Sequence, residues 1–217
     1  MNLTELASEF TILFEDLATQ GSKGLDDYEK SVCFTHVQEQ VIKQLAQAKM
    51  LDPISTLVKF SEETTIQTSI YTTAKEFTKV NSPFHVCSYF IKSNNGGDIG
   101  CIEQEGKFIT SLLASPYKYP PKNLAYVVMG ETRNIVFPPF NYDLKSLVTK
   151  YVEYPSPIIL SALSGEDSIN GITIATDPIL DKAFHRELVK LAVQYAIEIY
   201  IGQPEKQVPN DSSRNKQ

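Results

Sequence analysis

Along this chain the spacing of apolar residues changes twice, from a helical period to a shorter one and back again. Leu3, Leu6, Phe10, Leu13, Phe14 and Leu17 recur every three or four residues and share one helix face. Asn2 stands three residues before Glu5, the spacing of a capping box, so the helix is predicted to start there. Residues 20–23 break the pattern. Asp26 and Glu29 repeat the capping-box spacing, and Tyr28, Val32, Val37, Val41, Ile42 and Leu45 carry a second apolar face to about Lys49. Two amphipathic helices across so short a link are predicted to pair as a hairpin. A third helix is predicted from Asp181 to Ile201. There Lys182, Arg186, Lys190, Gln194 and Glu198 make one narrow polar stripe and most of the circumference is apolar. Asp177 or Asp181 can cap it, Pro178 suits its first turn, and Gly202 with Pro204 closes it.

From Asp52 the pattern between these helices is different. STLVKF, TTIQTSIYTT, FHVCSYFIK, LAYVVMG, RNIVFPPF and SLVTKYVEY are rich in Thr, Val, Ile, Tyr and Phe and are separated by Gly, Asn, Pro and Asp, which predicts short antiparallel strands. Asn94-Asn95-Gly96-Gly97 marks a turn joining Phe84–Lys92 to Gly100–Phe108 as a hairpin, and Thr110–Ala114 suits one helical turn. Tyr154-Pro155-Ser156-Pro157 is predicted to be extended or an edge, since proline donates no ladder hydrogen bond and restricts the residue before it. Residues 164–176 read as a loop and a short strand. The predicted class is therefore α+β, a bundle of N-terminal and C-terminal helices with a central antiparallel β lobe. Within one domain, residues 1–50 form the helical hairpin, 51–176 the β-rich lobe and 177–202 the helix that completes the bundle. Residues 203–217 form a polar tail with little apolar beyond Val208. Such a tail is expected to be disordered in an isolated monomer and to be held by a neighbouring subunit or another protein.

Composition narrows the function classes. With 217 residues, 42% of them hydrophobic and 21% charged, the chain can bury a sizeable core as one domain. A formal net charge of -6 argues against a nucleic-acid-binding surface, which needs clustered Lys and Arg. No apolar run approaches the roughly 18 to 20 residues of a membrane span, and Asn2, Glu5 and Glu9 do not read as a signal peptide. Cys33, Cys87 and Cys101 are odd in number and lack metal-type spacing, so neither a disulfide framework nor a metal is predicted, and assembly in a reducing cytosol fits.

Candidate chemistry is sparse. His85 and Cys87 would share one face of a strand with Cys101 across the hairpin, a weak arrangement for zinc or for a thiol nucleophile with a histidine base; packing in a sheet core is the competing reading. His185 could be a pH-sensitive contact or a histidine packed between helix and β lobe. The acids Asp26, Asp27 and Glu29 are expected in a helix's first turn because of the macrodipole. Gly165–Gly171 lacks the lysine of a phosphate loop. No catalytic, cofactor-binding or metal-binding residue is predicted. The tyrosine and proline groups Tyr117–Pro121 and Tyr151–Pro157 offer large rigid area suited to a subunit interface, or to an ordinary loop clamp. The interface candidates are Tyr28, Tyr119, Tyr151, Tyr154, Val189, Val193, Tyr200, Gln203 and Gln217. On the last helix, Leu188, Ala192 and Tyr195 are expected to close the bundle, while Val189, Val193 and Tyr200 meet the β lobe or a neighbour.

Four stretches, Gly24–Lys43, Ser115–Asn123, Tyr151–Leu160 and Ala175 onward into the last helix, in this order and spacing resemble virion structural proteins of tailed bacteriophages, especially the crAss-like phages. The resemblance covers most of the chain outside the polar tail. It implies a neck-ring or head-to-tail connector subunit that docks portal to tail, forms a twelve-fold homo-oligomeric ring, and lets DNA pass without specific binding. Its partners would be copies of itself, the portal protein and other neck and tail proteins, with no membrane, no cofactor and no catalysis. It would reside in the virion neck after synthesis in the host cytoplasm. Two departures stand out: relatives often read Leu-Thr-Gln-Ala-Gln where this chain has Phe34-Thr35-His36-Val37-Gln38, and a tryptophan common near Ala125 is absent. A non-viral α+β interaction module, or an enzyme using His85, Cys87 or His185, are the alternative readings.

Overall fold

The computed structural model describes residues 1–18, 24–64, 67–68, 74–79, 83–94, 97–105, 107, 120, 123–139, 141–164 and 167–201. Its class is α+β. In order, the elements are α1 (Leu3–Leu17), α2 (Asp27–Gln47), a 3-10 segment (Asp52–Leu57), and strands β1 (Val58–Thr64), β2 (Gln67–Thr68), β3 (Lys75–Thr78), β4 (His85–Ser93) and β5 (Asp98–Gln104). Then come β6 (Ala125–Met129), β7 (Arg133–Phe137) and β8 (Leu144–Val152), a 3-10 turn (Lys182–Phe184), α3 (His185–Ala196) and a π-helical turn (Ile197–Ile201). Two compact units result, one of Met1–Ile42 with Pro155–Gln217 and the other of Lys43–Tyr154.

In the first unit both predicted capping boxes form. Asn2 Oδ1 accepts from the Glu5 amide at 2.8 Å while Glu5 Oε2 accepts from the Asn2 amide at 2.9 Å. Asp26 and Glu29 exchange the same two bonds at 2.8 and 3.0 Å. Helix α2 is enclosed on three sides. Phe34 meets Phe10 of α1 with ring centroids 5.4 Å apart, and roughly on the opposite side of the helix His36 stacks on Tyr195 of α3 at 4.1 Å. The third side carries Ser31, Thr35 and Gln38, spaced four and three residues apart and all buried.

That polar stripe binds an extended strap, Pro155–Leu160. Thr35 Oγ1 accepts from the Ile158 amide at 3.0 Å and lies 3.3 Å from the Ile158 carbonyl; Ser31 Oγ accepts from the Leu160 amide at 3.0 Å; Gln38 Nε2 donates to the Ser156 carbonyl at 2.9 Å. Gln38 Oε1 also accepts from the Ile179 amide at 2.9 Å. Two prolines keep the strap extended and remove two of its amides. The backbone groups of Ser156, Ile158 and Leu160 are thus paired with a helix face, while Ile159 bridges antiparallel to Thr176.

The third predicted helix has three pitches rather than one. Asp181 caps it by accepting from the Ala183 amide at 2.9 Å, the first turn is 3-10, and the end widens to a π turn. The predicted closure at Gly202 and Pro204, the tail, the helical turn at Thr110–Ala114 and the group Tyr117–Tyr119 lie outside the described residues.

The second unit is a mixed eight-stranded sheet of order β1-β8-β4-β5-β6-β7-β3-β2. Strand β3 is not among the stretches anticipated as strands: Ala-Lys-Glu-Phe-Thr-Lys carries one large core residue, Phe77, and the small buried Ala74 among charges. All-antiparallel pairing was expected, yet β5 and β6 run parallel, with Cys101 opposite Ala125. The connection between them spans residues 105–124, long enough for the crossover that parallel neighbours require. The sheet curls. In a flat sheet β8 and β3, five strand intervals apart, would lie about 24 Å from each other. Instead Lys75 Nζ on β3 reaches the Leu144 carbonyl on β8 at 3.0 Å. Phe77, Tyr89, Ile91, Ala125, Val127, Val136, Leu144 and Leu147 accordingly form one core on the inner face.

Candidate assembly surface

The residues that could carry catalysis are arranged against it. Between Val86 and Ser88 the register of β4 on β8 shifts, so Cys87 is the extra residue of a bulge and the simple alternation from His85 to Cys87 is broken. Burial raises the Cys87 thiol and pushes the Cys101 thiol up to about 12, the reverse of what a reactive thiolate needs. His85 lines a cleft with Thr78, Lys79, Glu103, Met129 and Glu131. Among the described residues no three His, Cys, Asp or Glu side chains lie together as a metal site. His185 is 4% exposed and one ring nitrogen sits 3.1 Å from the Leu180 carbonyl, which ties the chain before α3 to that helix.

The interface candidates separate by burial. Val189 and Val193 are 0% and 1% exposed, so the expectation that they could face a neighbour is corrected: this face of α3 is used up inside the chain. Tyr28 on α2 and Tyr151 on β8 are half-buried. Tyr154 is exposed and edge-on to Phe84 at 5.2 Å. Tyr200 is 42% exposed beside Ile199 at 53%. Tyr119, Gln203 and Gln217 lie outside the described residues.

Two further surfaces escaped the sequence reading. On the outer face of the sheet Phe60 is exposed, with Phe90 at 6.4 Å and the Lys150 ammonium 5.8 Å from its ring centre. Beside it Glu62 accepts from Lys92 and from Ser146, each at 2.7 Å, and these bonds hold its carboxyl below the usual range. On α1, Ile12 is 60% exposed at the edge of a groove. An isoleucine on the polar side of an amphipathic helix was the available signal for that groove.

Both units carry large exposed apolar side chains, among them Ile12, Ile199 and Tyr200 on the first and Phe60 and Tyr154 on the second. The family described as phage tail ring protein 3/4 matches residues 1–82 and 53–207, most of the sequence. The chain belongs to this family. Two of its relatives are from Bacteroides phage crAss001. Ring protein 4/5 is 27% identical over 93% of this chain and 94% of its own length. Ring protein 3 is 23% identical over 91% of this chain and 95% of its own.

Proposed function

We propose that this protein is a structural ring subunit in the neck of a tailed phage, a head-to-tail connector set between portal and tail, closing as a twelve-fold homo-oligomer around the DNA channel. The observation that carries this reading is the family match across both units, joined to relatives that are themselves ring proteins. Exposed Tyr154, edge-on to half-buried Phe84, and the exposed pair Tyr200 with Ile199 supply contact area on each unit. A net charge of -6 suits a channel through which DNA slides without being held. The protein acts without catalysis, and its place is the virion after synthesis in the host cytoplasm.

Rotational symmetry in cryo-electron micrographs of the assembled particle tests this reading. Twelve copies in one layer between portal and tail is the expected result. A chain absent from purified virions, or present only as a monomer beside portal and tail proteins, overturns it.

A further inference from the structure

We infer that the groove on the outer flank of α1 receives the C-terminal end of the last helix from a second copy of this chain, with Ile199 and Tyr200 entering the groove and Glu198 meeting Lys30. The inference rests on the ring reading and names the two surfaces that would join neighbours. The groove is lined by Thr4, Ala7, Ser8, Thr11, Ile12 and Lys30. Two of its three hydroxyls, those of Ser8 and Thr11, are already bonded. Ser8 Oγ donates to the Thr4 carbonyl at 2.8 Å and Thr11 Oγ1 to the Ala7 carbonyl at 2.9 Å, so both donors are spent within α1 and carbon atoms are left as contact surface. Ile12 supplies an exposed apolar wall. Lys30, reaching in from α2, makes no ion pair among the described residues.

The matching surface is apolar and exposed. The π turn that ends the last helix presents Ile199 and Tyr200, more than a third exposed, directly after Glu198, which is exposed and also has no ion pair among the described residues. Both surfaces belong to the first unit, so the spacing between them is set by that unit alone. Among the described residues Ile12 and Ile199 remain more than half exposed, and Tyr200 is 42% exposed. A ring subunit needs two different surfaces that fit each other, because every copy contacts its two neighbours in different ways. A concave apolar groove bearing a cation and an exposed apolar surface bearing an anion meet that requirement.

The full chain is compared with Lys30→Glu, Glu198→Lys and the double variant by sedimentation velocity and native mass spectrometry. Each single reversal places like charges together and is expected to weaken self-association by about tenfold or more, with the double variant recovering it. Thermal melts unchanged from wild type confirm that the variants fold. Single variants that associate like wild type, or a double variant that fails to recover, overturn the pairing and leave the ring reading standing. A wild-type chain that stays monomeric at every concentration overturns both.

Discussion

Burial pushes the Glu63 carboxyl up from an ordinary 4.5 to about 7, and its hydrogen bond from Thr149 Oγ1, at 3.4 Å, offsets little of that. Its second oxygen is buried without a hydrogen-bond partner among the described residues, and the Tyr89 hydroxyl, itself raised to about 12 by burial and then by Glu103 and Glu63, adds no cation to the surroundings. A carboxyl whose folded pKa lies above its unfolded value stabilises the fold below the unfolded value and loses that contribution as pH rises through about 7. Glu63→Gln is therefore expected to melt higher than wild type at pH 8, with the gap closing at pH 4. Equal melting shifts at both pH values would contradict this. Lys49 is a simpler case. It holds φ 59° where α2 ends, between the bonds Lys49 amide to Ala46 carbonyl at 3.1 Å and Met50 amide to Leu45 carbonyl at 2.9 Å. Glycine fills this position without the Cβ penalty, so Lys49→Gly is expected to raise stability by about 0.5–1 kcal/mol in urea titration.

At the scale of elements, helix caps were legible because they depend on residues three apart. The strap was legible only as an extended segment. Ser31, Thr35 and Gln38 look in sequence like a solvated stripe on α2, and nothing local distinguishes water from a buried backbone as their partner. The two cases differ in energy. Thr35→Val keeps shape but strands the Ile158 amide and carbonyl, both fully buried. A loss of about 1–3 kcal/mol is expected from chemical denaturation, against a smaller one for Thr35→Ser. The curl of the sheet was not legible either, because alternation assigns each residue a face and leaves open which strand lies beside which.

For the whole molecule, self-assembly and folding are expected to be separable. The polar composition of residues 203–217 gives them little to contribute to a core, so a chain ending at Gly202 is expected to keep the melting temperature of the full protein and to associate more weakly. A lower melting temperature would place the tail in the fold, and unchanged association would remove it from the interface. Of the surfaces anticipated from sequence, Tyr154 and Tyr200 are exposed while Val189 and Val193 are not. The apolar face of α3 was identified correctly as an excess; which part of it the chain covers depends on neighbours far away in sequence.

By itself the sequence determined where helices begin, most of the stretches that become strands though not β3, the α+β class, and through the ordered segments a resemblance to phage ring proteins. These are local properties, set by side-chain spacing, capping geometry and proline. Tertiary structure alone decided that α2 is the enclosed helix, that β5 lies parallel to β6, that the sheet rolls around its own core, and that the hydroxyls of Ser8 and Thr11 turn inward to leave carbon atoms along the groove. Each depends on pairing between distant residues or on the direction a hydroxyl takes, and a side chain's chemistry is the same whether it meets water, backbone or a second copy of the chain.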